Sequence, residues 1–321
     1  LMYKRKNSRK VKKCVIIGCG QIAGGSDPVD GTFIRTHAKA YKENPKCHLS
    51  AVCDTNRNRA KRFAEKWNVP VYGTNTCKIL KEVNPDIVSI CTPTNCHEND
   101  FVLALQSGAK YIWMEKPAAP DMKSLQRMER KAKKFAAQVW INYSRRYDPG
   151  FHILTDALPG LKGVQTVRAC YTKGLHHNGC HMIDLLLWLF GPVKNFEITS
   201  VLRDPHYPTI SARLQHRNAV VDLIGLDYKN YSLFDLDILG NKGCIKIIDG
   251  GRKIQFEKVI NDKFYKGYKS LALQKEHSGT YEQFMKFGLD RGLSGQDMPG
   301  FKEEFKIQTL IQRMISASGL K

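Results

Sequence analysis

A lysine set between a glutamate and a proline, and two histidines four residues apart near an aspartate, are the side chains best suited to chemistry in this chain. Tyr111-Ile-Trp-Met is a short apolar run that reads as a buried parallel strand, and Glu115-Lys116-Pro117 follows it directly. Proline disfavours helical geometry in the residue before it and tolerates a cis bond. Lys116 is therefore expected at the carboxyl end of a strand, in the crevice where open α/β sheets bind ligands. Taken alone, these residues fit a surface lysine beside a loop proline better, and the motifs that accompany them decide for the crevice. His177, His181, Asp184 and Trp188 share one face if their segment is helical throughout. Two imidazoles, which titrate near neutral pH, and a carboxylate on one face suit proton transfer better than packing.

Such groups need a scaffold and an oxidant. Cys14-Val-Ile-Ile reads as a buried strand running into Gly18-x-Gly20-x-x-Ala23, with Gln21 and Ile22 inside the motif. Gly18 permits the tight turn, Gly20 lets a pyrophosphate approach the backbone, and Ala23 lets a helix pack on the strand. The N–H groups of that helix would face the phosphates. Leu49-Ser-Ala-Val-Cys-Asp54 is a second apolar strand, and it ends in a carboxylate. Asp54 at that place suits the ribose hydroxyls and repels a 2′-phosphate, which favours NAD. Arg57 and Arg59 nearby leave NADP possible, and a cap on the following helix is the structural alternative for Asp54.

Strand candidates at 14–17, 49–53, 87–91, 111–114 and 138–142 alternate with helix candidates at 36–43, 57–67, 76–82, 96–107 and 121–136. This alternation predicts a doubly wound parallel sheet. Pro149-Gly150 marks a change of pattern. Beyond it, a helix at 150–158, a strand at 164–171 and a helix at 178–190 precede strands at 195–202, 208–215, 219–226, 232–239, 243–248 and 252–258. Helices return at 278–289 and 302–318. The expectation is α/β plus α+β: a Rossmann domain over 14–148, and an open, mostly antiparallel sheet over 149–321 covered by helices on one face. Residues 1–13 read as a basic arm. The bare second face of the sheet suggests a homodimer or homotetramer.

The 321 residues carry a formal charge of +21, of which seven positive side chains lie among the first 13 positions. That excess would draw anionic small molecules. No nucleic-acid motif accompanies it, and the longest dense apolar run, Leu185 to Phe190, is too short to span a bilayer. Ten cysteines without a regular framework suit reduced thiols in the cytoplasm. Neither Cys91, Cys96 and His97 nor His176, His177, Cys180 and His181 has an established zinc spacing, so no metal is expected.

The motifs in order closely resemble the Gfo/Idh/MocA oxidoreductase family: Gly18-x-Gly20-x-x-Ala23, Cys91-Thr-Pro-Thr94 with His97, Glu115-Lys-Pro117, Asn142-Tyr-Ser-Arg-Arg-Tyr-Asp-Pro149 and His177-Asn-Gly-Cys-His-Met-Ile-Asp184. The resemblance extends over nearly the whole chain. It implies that Gly18, Gly20, Gln21, Ile22, Ala23, Asp54, Cys91, Thr92, Pro93, Thr94, His97, Glu115, Lys116 and Pro117 line a nicotinamide cofactor. It implies a substrate held by Lys116, Asn142, Arg146, Tyr147, Asn178, His181 and Asp184, with Lys116, His181 and His177 as catalytic groups. The reaction implied is hydride transfer between NAD(P) and a hydroxyl or carbonyl of a sugar, polyol or nucleotide-sugar. Redox-neutral glycoside cleavage and a nonenzymatic NAD-binding sensor are the alternatives. Two departures stand out. His177 occupies a position where many members have an aspartate, and Gly24 to Thr36 is about ten residues longer than usual.

Overall fold

The structure is a computed structural model that describes residues 11–278 and 280–320. Most of the basic arm expected at 1–13 lies outside the described residues, whereas Lys12 and Lys13 already belong to the first strand. The described chain divides into two compact units. One comprises the residues up to Asn142 with Gly288–Phe301, and the other comprises Tyr143–Phe287 with the residues from Lys302 onward.

The first unit is built on β1 (Lys12–Ile17), β2 (Cys47–Cys53), β3 (Val71–Gly73), β4 (Ile87–Ile90), β5 (Tyr111–Met114) and β6 (Gln138–Ile141). They form one parallel sheet in the order β3-β2-β1-β4-β5-β6. Helices α1 (His37–Glu43), α2 (Arg57–Trp67), α3 (Thr76–Val83), α4 (His97–Gln106) and α5 (Met122–Phe135) alternate with the strands. Their limits follow local chemistry. Asn56, Asn75 and Asp121 accept backbone N–H bonds at the starts of α2, α3 and α5, and left-handed Asn68, Asn84 and Ala136 end them. Ala60, Phe63, Ala64 and Trp67 make the buried stripe of α2. All four residues of β4 are buried, as expected of a central parallel strand. The sequence reading missed β3, whose three residues are too few to show a period. The strand order reverses between β1 and β4, so the loops after them diverge and open a crevice at the carboxyl edge.

The second unit contains α6 (Pro149–Ala157), β7 (Val164–Tyr171), α7 (Cys180–Phe190), β8 (Asn195–Leu202), β9 (Thr209–Gln215), β10 (Val220–Gly225), β11 (Phe234–Gly240), β12 (Gly243–Ile248), β13 (Lys253–Asn261) and β14 (Lys269–Ser278). The helix α8 (Phe284–Leu293) crosses from this unit into the first, and α9 (Phe301–Ser318) begins at the return. The eight strands run β14-β13-β12-β11-β7-β10-β9-β8 and are antiparallel except for β7 with β10. Val167, Ala169, Tyr171, Leu236 and Ile238 bury one face, and Met182, Leu185, Ile307 and Ile311 of α7 and α9 are buried with them. The other face carries Arg168–Asp237, Arg213–Asp222 and Lys246–Glu257 ion pairs. Its centre is thus charged rather than apolar, and exposed apolar side chains gather instead at β14 (Leu271, Leu273) and its hairpin (Phe264). The sequence reading assigned no strand to 269–278, because lysines, a glutamine and a glutamate mask its alternation.

No described helix is long and apolar enough to cross a membrane. All ten cysteines are free thiols, and seven are buried.

Candidate active site

The turn after β1 is shaped by two glycines with different duties. Gly18 has φ +90°, and a Cβ there would lie 2.8 Å from the carbonyl carbon and oxygen of Cys91 and 2.9 Å from Thr92 N. Only glycine lets the β1 and β4 loops meet this closely. A Cβ on Gly20 would meet no atom within 4 Å, so this position faces open space. The N–H groups of Gly20, Gln21 and Ile22 find no acceptor among the described residues. Together they form a concave donor surface of the kind that binds phosphate.

The helix expected to begin at this turn is reduced to a few residues. Gln21–Gly25 makes a single wide turn, closed by Gly25 N–H to Gly20 O (3.1 Å) and Ser26 N–H to Gln21 O (3.1 Å). Gly24 leaves helical geometry against the Phe63 and Trp67 rings, and Lys66 Nζ and Trp67 Nε1 hold its carbonyl at 2.8 and 3.2 Å. The extra segment then loops outward on a buried staple, in which Asp27 accepts from Arg35 N (2.7 Å) and Arg35 Nε (3.1 Å). Lys39 Nζ donates to Val29 O at 2.7 Å, and Thr36 caps α1. Ala23 is fully buried against this scaffold.

Asp54 is also buried, at 6% exposure. Its Oδ2 accepts the Cys19 N–H at 2.9 Å and its Oδ1 accepts the Asn56 N–H at 2.8 Å, while Arg59 Nη1 stands 3.5 Å away. The carboxylate therefore ties the glycine loop to the end of β2. The alternative role of helix cap falls to Asn56. Burial and the Asp54 charge push the Cys19 thiol up to about 12, which keeps it inert beside the phosphate surface.

Lys116 follows β5 on a rigid mount. The preceding Glu115 faces His37 Nε2 (3.1 Å) and accepts from Asn142 Nδ2 (2.5 Å). An ionised carboxylate only accepts, so His37 Nε2 donates to it, and the other ring nitrogen, Nδ1, lies 2.9 Å from Ser89 Oγ. Ser89 in turn lies 2.6 Å from the Tyr41 hydroxyl. Burial opposes the Glu115 charge, but the His37 and Asn142 bonds and the charge of Lys116 outweigh it and hold the carboxyl below its ordinary range. On the other side, the Lys116–Pro117 bond is cis. His97 bridges the Pro117 carbonyl (Nδ1, 3.0 Å) and the Thr92 carbonyl (Nε2, 2.8 Å). Thr92 Oγ1 donates to Asp100 at 2.6 Å, and Pro93 and Thr94 open the turn that leads into α4. The backbone on both sides of Lys116 is thereby clamped. Glu115, His97 and Asn142, expected to touch ligands, also hold this mount.

In the second unit the expected single face of His177, His181, Asp184 and Trp188 is interrupted. A wide turn, Gly174–Gly179, precedes α7 and breaks the 3.6-residue spacing after His177. The His177 ring packs edgewise on Tyr207 at 5.7 Å, whereas His181 packs on Tyr143 at 5.7 Å. Tyr143 donates to buried Glu304 at 2.5 Å, and burial drives its phenol well above the usual range. Asp184 and Trp188 do share a face, and both hold Arg146. The Arg146 Nε donates to the two Asp184 oxygens at 2.8 and 3.0 Å, and its guanidinium lies 5.4 Å from the Trp188 ring. Arg146 and Asp184, both expected at the substrate, are thus committed to each other, and Tyr147 is 2% exposed. The neighbouring Arg145 is different. Its Nη2 donates to Gly250 O at 3.3 Å, its Nε has no acceptor, and no ion-pair partner stands beside it among the described residues. It lines a cavity of about 500 Å3 together with Asn178.

Comparison with known proteins agrees with this geometry. Residues 12–143 match the model of the Gfo/Idh/MocA oxidoreductase family, described by its NAD-binding Rossmann fold. Those residues belong to that family. A D-glucoside 3-dehydrogenase of Escherichia coli K12 is 28% identical over 200 residues, 56% of this chain and 54% of its own length. An NAD(+)-dependent scyllo-inositol 2-dehydrogenase of Bacillus subtilis 168 is 24% identical over 209 residues, 59% of this chain and 56% of its own. The chain thus spans about half the length of these curated relatives. The solved structure of an NAD binding oxidoreductase from Klebsiella pneumoniae aligns over 97% of both chains with a TM-score of 0.75 at 16% identity, so the fold likeness extends through the second unit.

Within this Gfo/Idh/MocA framework, sequence reasoning missed two residues. His37 stood only as the end of an insertion, since no motif links it to a glutamate 78 positions later. Arg145 was passed over for Arg146, because two adjacent arginines give no sign of which one has a counter-ion.

Proposed function

We propose that the protein is an NAD-dependent dehydrogenase that oxidises a secondary hydroxyl of a sugar or polyol, or reduces the corresponding ketone. The observation that carries this reading is the clamped lysine in the sheet crevice beside a glycine surface with three unpaired N–H donors. Those donors, the open space at Gly20 and the carboxylate at Asp54 fit a dinucleotide with an unphosphorylated ribose. When bound, NAD accepts hydride at its nicotinamide ring. The bound ring would supply the hydride acceptor for the substrate C–H bond, and a protein base would take the hydroxyl proton, so that the alcohol becomes a carbonyl. Lys116 is assigned to the substrate hydroxyl, and its amine orients that oxygen and takes its proton. His181 is assigned as the second proton carrier. His177 has a supporting role at most, given its packing on Tyr207. The relatives named for glucoside and inositol oxidation support a polyhydroxylated substrate. The buried free thiols support a cytoplasmic location, and the family resemblance supports a homo-oligomer.

The test is NADH formation across a panel of sugars, polyols and their acids, with NAD binding measured separately. Lys116→Ala and His181→Ala should each lower turnover at least about a hundredfold, the scale for loss of a positioned acid–base group, with NAD affinity nearly kept. Near-normal turnover in both variants would overturn the assignment.

A further inference from the structure

The charge arrangement around Arg145 points to a substrate class. The cavity it lines lies within the second unit and is bounded by Lys173, Asn178, Phe234, Asp235, Asp249 and Arg252 among others. Its charged groups are unevenly paired. Arg252 is already neutralised, with its Nη1 3.0 Å from Asp249 and its Nε 2.7 Å from Glu282. Asp235, whose Oδ1 accepts the Asp249 N–H at 2.9 Å, stands on the same walls, and the Asp184 and Asp148 charges act on Arg145 without pairing with it. Two cationic side chains of the walls, Arg145 and Lys173, are thus left without an ion pair among the described residues.

Arg145 is the costly member. It is 6% exposed, and its guanidinium lies 3.5 Å from the Phe234 ring and 5.3 Å from that of Tyr281. The rings hold the fork in place and favour its charge, but of its five N–H donors only Nη2 meets an acceptor. Buried N–H donors left without an acceptor are unfavourable unless something outside the chain completes them. The guanidinium fork matches a planar carboxylate in shape as well as charge. Asp235 and Asn178 on the same walls offer an acceptor and an amide to hydroxyl groups.

We infer that this cavity receives the carboxylate of a polyhydroxy acid through Arg145 and Lys173, which makes the substrate a sugar acid, aldonic or uronic, rather than a neutral sugar. This rests on the dehydrogenase reading above and narrows it. A cavity of about 500 Å3 lies within the range of small-molecule sites.

The experiment compares matched pairs, glucose with glucuronate and gluconate, and galactose with galacturonate. NAD-dependent oxidation is followed by NADH formation, and direct binding of each compound by calorimetry. Wild type is set beside Arg145→Gln and Lys173→Asn. The second variant guards against misfolding, since Lys173 sits at φ +61°, a conformation asparagine adopts readily. The acids should be preferred over their neutral partners by about tenfold to a hundredfold in kcat/KM, the scale of one or two charge-assisted bonds. In Lys173→Asn the KM for the acid should rise about tenfold with kcat largely kept, so the preference narrows. Oxidation of the neutral sugars in preference to the acids, or an unchanged acid KM in Lys173→Asn, would overturn the inference and leave the dehydrogenase reading standing. Acids that bind wild type but not Arg145→Gln, with no compound oxidised, would uphold the cavity and overturn the dehydrogenase reading. Neither binding nor turnover would overturn both.

Discussion

Gly18 and Gly20 lie two residues apart in one turn, yet substitution should fail for opposite reasons. At Gly18 an alanine must adopt φ +90°, a conformation that costs an L-residue about 1–2 kcal/mol. Its Cβ would also stand 2.8 Å from backbone atoms of Cys91, which no side-chain rotation relieves. Overpacking of this kind adds about 1–3 kcal/mol, so Gly18→Ala should lose roughly 2–5 kcal/mol, combining the two terms. At about 2–4 °C per kcal/mol, the melting transition of the first unit should fall by about 4–20 °C. Gly20 has φ −84° and ψ −165°, where a β-branched residue is at ease, and nothing lies within 4 Å of the added carbon. Gly20→Val should therefore melt within about 1 kcal/mol of wild type, as surface changes away from special features do. Its branched side chain would fill the space beside the Gly20, Gln21 and Ile22 donors, and NAD affinity should drop by at least about a hundredfold, the loss of two or more charge-assisted bonds. Thermal melts of both variants with and without NAD, paired with calorimetric titration, separate the two effects. A Gly20→Val protein that binds NAD normally would refute the assignment of the phosphate surface. A Gly18→Ala protein as stable as wild type would refute the close approach of the two loops.

Asp54→Ala should weaken NAD, and should weaken NADP less or strengthen it, because Arg59 loses the carboxylate 3.5 Å away; parallel titrations decide this, and unchanged affinity for both cofactors would contradict it. The Glu115 carboxyl has a folded pKa below its unfolded value of about 4.3, so it contributes stability that is fully present above that pH and is lost as pH falls through the folded pKa. Glu115→Gln should be less stable than wild type at neutral pH, with the gap closing in acid melts; a constant gap across the acid range would refute the ionised bond to His37. The charged open face of the second sheet should make any self-association there sensitive to ionic strength, so light scattering in low and high salt should report different association, and a monomer at all concentrations and salt levels would contradict the homo-oligomer.

The sequence by itself determined the scaffold of the first unit and the place of its lysine. Parallel strands buried on both faces are continuous apolar runs, and the turns between them carry Gly18, Gly20, Asn56 and Pro117, whose backbone demands are written in residue type. These are local signals, so β1, β2, β4, β5 and β6 could be placed to within a residue or two. β3 was too short, and β14 too polar, for such a signal. What the tertiary structure decided was how charge and hydrogen bonds are paired. That Glu115, His97 and Asn142 also form the mount of Lys116 could not be read from the motifs, because their partners lie elsewhere along the chain, with 78 positions separating His37 from Glu115. The wide turn at Gly174–Gly179 moved His177 off the face that helical spacing assigned to it. Arg145 and Arg146 are neighbours of the same type, and nothing local tells them apart. Asp184, 38 positions on from Arg146, pairs with that arginine and leaves Arg145 with a buried Nε that has no acceptor. Pairing depends on which groups meet in space, and burial sets what an unpaired one costs.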